Sequence, residues 1–195
     1  EGREAEAAEA LQLLLAIDPD DVQVRAAMAR TLIRQEDLVT ARPYLAPEVL
    51  EQAPDLALPA AEAHLRAGDQ VAAAIVLDRL VYGGGPGTRA AVSALAARLA
   101  RDLPDAAYRV AEQVTDACIL RLDWAGASRT LLEFVESSPH HVPALTRLVE
   151  VCVDGGLAGD LDLAQAKLVD AYLAAGATGQ ARRVVEDLAA RTPAD

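Results

Sequence analysis

The chain has 195 residues, 52% of them hydrophobic but only 3% aromatic, and it carries a net charge of −12. That balance disfavours nucleic acid and anionic membrane as partners, whose binding needs clustered Lys and Arg, and no apolar run reaches the roughly 18 residues of a membrane span. Ala, Leu and Val must build the core, and the scarcity of strand-favouring aromatics predicts an all-helical protein.

One Lys (Lys167) and no Asn stand beside abundant Ala, Arg and Asp, the skew of a GC-rich bacterial genome. No signal-peptide pattern opens the chain, so the expected compartment is the cytoplasm, or the periplasm if a leader was removed. Cys118 and Cys152 are isolated within apolar helical runs, without the spacing of a zinc or redox pair, and read as small buried hydrophobes.

Prolines recur at Pro19, Pro54, Pro104, Pro139 and Pro193, punctuating a series of helical segments. The first segment, "EAEAAEALQLLLAIDPDD", is one helix ending near Pro19. The next begins at an Asp20 or Asp21 cap and has Val24, Ala27, Met28 and Leu32 on its inner face. Its partner, which contains Ala41, Leu45 and Val49, is interrupted by Pro43 and Pro47. Proline in a helix interior costs about 3 kcal/mol, so helix is expected from about Ala46 to Gln52 after a looser turn.

"DLALPAAEAHLRAGDQVAAAIVLDRL" reads as two helices turning at Gly68. A glycine-rich break at 83–87 follows, expected to stop the helix, with Thr88 capping the next one. No P-loop lysine is present and no apolar strand precedes the run, so it reads as a turn and not a phosphate cradle. "TRAAVSALAARLARDL" is one helix. "PDAAYRVAEQVTDACILRLDWAGASRTLLEFVESSP" is a hairpin turning at Asp123-Trp124. "HHVPALTRLVEVCVDGG" is a further helix whose expected partner is missing.

The last stretch, "AQAKLVDAYLAAGATGQARRVVEDLAARTP" (residues 164–193), is the clearest. Leu168, Tyr172 and Leu173 recur at helical spacing, Gly176 breaks the run, and Ala181, Val184, Val185 and Leu188 resume it, with Pro193 closing the hairpin. Ala63 to Gly68 lies over Ala171 to Gly176, and Ala73, Leu77 and Leu80 lie over Ala181, Val185 and Leu188. This pattern resembles the tetratricopeptide (TPR) repeat. Ala7, Leu11, Leu14 and Pro19, and Asp123, Trp124, Ala127, Leu131 and Pro139, also stand at that family's spacing.

The resemblance implies one TPR-like domain over residues 1–195, with about eleven helices. Its hairpins would stack into a right-handed α-solenoid whose first helices line a concave groove. Because the opening helix lacks a first-helix partner, the chain is expected to be a piece of a longer protein. Carried over position by position, the family's groove contacts fall on Gln23, Ala26, Arg30, Ile33 and Arg34, then on Glu62, Leu65 and Arg66. Further along they fall on Arg109, Glu112, Gln113, Asp116 and Ile119, on Arg147 and Glu150, and on Lys167 and Asp170.

The carboxylate clamp of chaperone-binding TPR proteins, built from Lys and Asn, does not fit a chain without Asn. Four of five corresponding positions (Glu62, Asp116, Glu150, Asp170, against Arg30) are acidic, so a basic or Arg-bearing protein segment is the expected partner. The histidines, His64 and the adjacent pair His140-His141, read as packing and loop residues and not as metal ligands. No Ser-His-Asp or Cys-His arrangement stands out. The expected function is protein–protein interaction without catalysis, metal or cofactor. Two alternatives are self-association through terminal helices in a bacterial envelope, pilus or secretion assembly, and an accessory role beside a catalytic part outside this chain.

Overall fold

Ala, Leu, Val and Arg at helical spacing fold as helix through most of the chain. The computed structural model describes the backbone of residues 2–191 and the side chains of residues 6–189. Twelve α-helices and no strand occur among the described residues, so the protein is all-α. Pro193, expected to close the last hairpin, lies outside the described residues.

The contacts divide the chain into two compact units at the glycine-rich break, Glu1–Gly83 and Gly84–Asp195. The first contains α1 (Gly2–Ile17), α2 (Val22–Arg34), α3 (Leu38–Ala41), α4 (Pro47–Gln52), α5 (Ala57–Arg66) and α6 (Gln70–Gly83), with single 3₁₀ turns at Arg42–Tyr44 and Pro54–Leu56. Asp21 caps α2, its carboxylate accepting from the backbone N–H of Gln23 and Val24. Pro47 sits in the first turn of α4, where its missing N–H costs nothing, as the proline positions predict. Met28, Leu32, Leu45, Val49 and Leu56 form the core of this unit, and Leu11 and Leu15 of α1 pack on it.

The second unit contains α7 (Pro86–Leu99), α8 (Pro104–Ile119), α9 (Trp124–Ser137), α10 (Val142–Asp154), α11 (Ala158–Ala174) and α12 (Thr178–Arg191). Each helix packs on the next, and α7 also packs on α9. Phe134, the chain's one Phe, is fully buried, as are Leu95, Leu99, Leu131, Leu145 and Leu148. Burial of each such side chain contributes roughly 1.5–3 kcal/mol. Cys118 and Cys152 are free and buried, and burial raises both thiol pKa values.

Five connections share one geometry. Glu36, Gly68, Leu122, Gly156 and Gly176 each adopt a positive φ, between 59° and 74°. The next residue in each turn (Asp37, Asp69, Asp123, Leu157, Ala177) donates its backbone N–H to the carbonyl five residues back, at 2.8 to 3.0 Å. This is the Schellman arrangement, which satisfies the last carbonyls of one helix while starting the next. Four residues after that donor stands a buried side chain: Ala41, Ala73, Ala127, Leu161 and Ala181. Mostly small residues there let the two helices of each hairpin approach closely.

The structure corrects four local expectations. The break at 83–87 is shorter than its glycines suggest, because Gly83 ends α6 and Gly87 lies in the first turn of α7. Gly85, not Thr88, occupies the cap position of α7, where Pro86 begins the helix without a side-chain cap. The helix ending at Gly155-Gly156 does have its partner: α10 and α11 form a hairpin through the same turn as the others, with Leu161 in place of the usual Ala. Ala26 and Leu65, assigned to a groove face, are buried.

Candidate functional site

Polar side chains from α8 and α10 converge on one surface. Arg147 of α10 donates from one terminal nitrogen to Asp116 Oδ1 of α8 at 2.8 Å and from the other to Glu150 Oε2 at 3.1 Å. Burial opposes the Arg147 charge, but the two carboxylates outweigh it and raise its pKa. Its Nε is buried without a hydrogen-bond partner, so the guanidinium is held by its terminal nitrogens. Asp116 and Glu150 keep about half of their side-chain surface in water.

One helical turn away, the Tyr108 hydroxyl donates to Glu112 Oε1 at 3.2 Å, with the Pro143 carbonyl 3.5 Å off. Burial, with the Glu112 charge second, pushes the Tyr108 pKa up to about 12. The ring sits 4.8 Å from that of His141 and 5.9 Å from that of Phe134. His141 Nδ1 accepts from the Ala144 N–H at 3.2 Å and so caps α10, which requires a neutral ring; burial lowers its pKa and keeps it neutral. Tyr108, Glu112, Pro143, Thr146, Arg147 and Glu150 line a shallow depression between the two helices.

Glu112, Asp116 and Glu150 are therefore brought together around Arg147 and Tyr108. Arg109 is exposed on the same helix α8, and Asp170 is exposed on α11. Gln113 and Ile119 of α8 and Lys167 of α11 are half-buried; the other candidates belong to the first unit. Arg30 forms a two-pronged pair with Asp55, both contacts 2.8 Å, at the entry to α5. Glu62 is nearly buried and accepts from Arg66 one turn on, at 2.9 to 3.0 Å. Arg34 donates to the Thr31 hydroxyl at 3.4 Å. Arg30, Glu62, Asp116 and Glu150, four of the five positions compared for charge, thus engage partners within the chain.

Sequence reasoning did not find the roles of Tyr108 and His141, because ring contacts across a loop leave no periodic signature. Nor did it find a second concavity, a cleft of about 480 Å³ in the first unit between residues 42–54 and helices α5 and α6. Its signal was present in the spacing of Pro43, Pro47 and Pro54, which break what would otherwise be one straight helix. Among the described residues, no group of three or more His, Cys, Asp or Glu could hold a metal ion, and no helix is long and apolar enough to cross a membrane. No protein-family model matches the chain, and none of the curated proteins searched matches it.

Proposed function

We propose that this is a helical-hairpin repeat protein of the tetratricopeptide type, whose α8–α10 face binds a segment of a protein partner that carries Arg or Lys. The observation that supports this most is the Arg147 bridge from α10 to Asp116 of α8. It ties the first helices of two successive hairpins together and gathers their polar residues on one surface. Around it, three carboxylates (Glu112, Asp116, Glu150) outnumber one guanidinium, leaving a local charge that favours a cation. Tyr108 and Pro143 add the apolar contact that a docked segment needs beside its charge.

The test is fluorescence anisotropy with a labelled peptide of alternating Arg and Leu and with its Glu–Leu counterpart, at physiological salt. The Arg–Leu peptide should bind, and Glu112→Gln with Glu150→Gln should weaken it at least five-fold. A control that removes the same charge elsewhere, Glu48→Gln with Glu136→Gln, should weaken it much less. Equal losses in the two variants would mean that only the overall charge of −12 is being read.

One observation favours self-association as a second reading. Helix α1 turns Leu11 and Leu15 inward, yet Leu13 and Ile17 are 70% and 82% exposed on its other side. A second copy could cover that stripe. Sedimentation should then show a dimer that Leu13→Glu with Ile17→Glu abolishes, and a concentration-independent monomer would exclude it.

A further inference from the structure

The cleft of the first unit follows from chemistry visible in the chain. Pro43, Pro47 and Pro54 cut the second helix of a hairpin into α3, α4 and two 3₁₀ turns. The bent segment cannot lie flat on α5 and α6, and about 480 Å³ remains open between them. Leu50, Pro54, Ile75 and Leu80 supply apolar walls. The volume lies in the range of roughly 300–1,000 Å³ typical of small-molecule sites.

The cleft is also braced. Helix α2 holds the bent segment at three points: Arg25 donates to the Pro43 carbonyl at 2.9 Å, Gln23 to Gln52 at 2.8 Å, and Arg30 to Asp55. Two of these residues, Gln23 and Arg30, are ones that the TPR resemblance assigned to partner binding. A cleft whose backbone is fastened in this way needs less ordering when a ligand binds.

Charge sorts the ligand. The chain is strongly acidic, yet both charged side chains lining this cleft are arginines, Arg42 and Arg79, exposed at its rim. Glu51 lies 4.0 Å from Arg79, but their side chains are 66% and 63% exposed, so the pair is weak and other donors of the guanidinium stay accessible. His64 lies deeper, its side chain 15% exposed, with Nδ1 buried and 3.7 Å from Asp69 Oδ2. Burial lowers the His64 pKa; Asp69 raises it and Arg42 lowers it further. The ring is therefore neutral at neutral pH, and the two arginines set the charge preference.

We propose that this cleft binds a small amphipathic acid, with its apolar body between Leu50, Pro54, Ile75 and Leu80 and its carboxylate held by Arg42 and Arg79. Hydrogen bonds from a guanidinium to a carboxylate are among the stronger ones, so the anion should be preferred over a neutral analogue of equal length by about ten-fold or more.

Calorimetric titration of the full chain with decanoate, decanol and decylammonium, each below its micelle-forming concentration, tests this. Decanoate should bind one to one, decanol about ten-fold more weakly or worse, and decylammonium not measurably. Arg42→Gln with Arg79→Gln should bring decanoate down to the level of decanol while leaving decanol unchanged. Both arginines are exposed, so this variant should keep its helical circular dichroism. Ala72→Phe, which fills the cleft from α6, should abolish both ligands. Equal binding of all three probes, no binding of decanoate, or decanoate binding undiminished by the arginine changes would overturn the proposal. So would a cleft that accepts an acidic Leu–Asp peptide but not decanoate, because its occupant would then be a protein segment.

Discussion

Trp124 packs so closely on Gly155 that a Cβ on the glycine would stand 2.7 Å from the Trp124 Cβ and 2.9 Å from its Cγ. Trp124 opens α9, and Gly155 ends α10, so this contact joins one hairpin's turn to the next. The obstructing atoms are the rigid base of the side chain, which cannot swing aside. Gly155→Ala should therefore destabilise the protein by about 1–3 kcal/mol, the usual cost of overpacking. Chemical denaturation would measure it. Gly179→Ala, where a Cβ meets nothing within 4 Å, should by comparison be neutral or stabilising.

The shared turn makes opposite predictions at its glycine and non-glycine members. Leu122 holds a φ of 59° without being glycine, and it is exposed, so its side chain contributes strain with little burial. Leu122→Gly should raise stability by about 0.5–1 kcal/mol, whereas Gly176→Ala, at φ 71°, should lower it by about 1 kcal/mol. Thermal unfolding of the two variants would check both signs.

Side-chain capping differs among the same turns. The Asp123 carboxylate accepts from the Gly126 N–H at 2.9 Å, and Asp37 and Asp69 accept in the same way from Thr40 and Ala72. Leu157 makes no such bond, and Ala177, at the equivalent place before α12, has no oxygen to make one. Asp123→Ala should cost about 1 kcal/mol, and Ala177→Asp should recover a similar amount by capping α12. Denaturant midpoints measure both.

The Tyr108 pKa rises from 10.0 to about 12, so the folded state holds the phenolic proton more tightly than the unfolded chain does. Its contribution is complete below pH 10 and is lost between about pH 10 and 12 as the phenolate forms. The sign is reversed for His141, whose pKa is lowered: stability falls as pH drops below about 6.5, because protonation removes the acceptor that caps α10. Tyr108→Phe should flatten the alkaline limb of the stability profile and leave the acid limb in place. Phenolate absorbance against pH gives an independent readout.

Much of the fold was legible because its signals are local. Ala and Leu periodicity placed the helices, Asp21 and Pro47 set their starts, and Gly68 and Gly176 marked turns that need a left-handed residue. The same turn at Glu36 and Leu122 was harder to see, since the residue type does not announce the conformation. At Gly155-Gly156 the turn was legible, but Leu161 in place of Ala hid the hairpin that follows it. Site chemistry was less legible, because charge positions on helix faces do not disclose their partners. Nothing in the spacing of Arg30 and Asp55, or of Asp116 and Arg147, shows that each pair meets at 2.8 Å. The cleft lay furthest out of reach: it depends on where three prolines bend a segment, and a bend becomes a cavity only once its neighbours are in place.

The central claim, that the α8–α10 face takes a basic partner segment, is tested most directly by amide chemical-shift mapping. Titration of the Arg–Leu peptide into isotopically labelled protein should move the amides of Tyr108 to Asp116 and of Thr146 to Glu150, saturably and in one set. Shifts spread evenly over acidic surfaces in both units, or concentrated on α12, would contradict it.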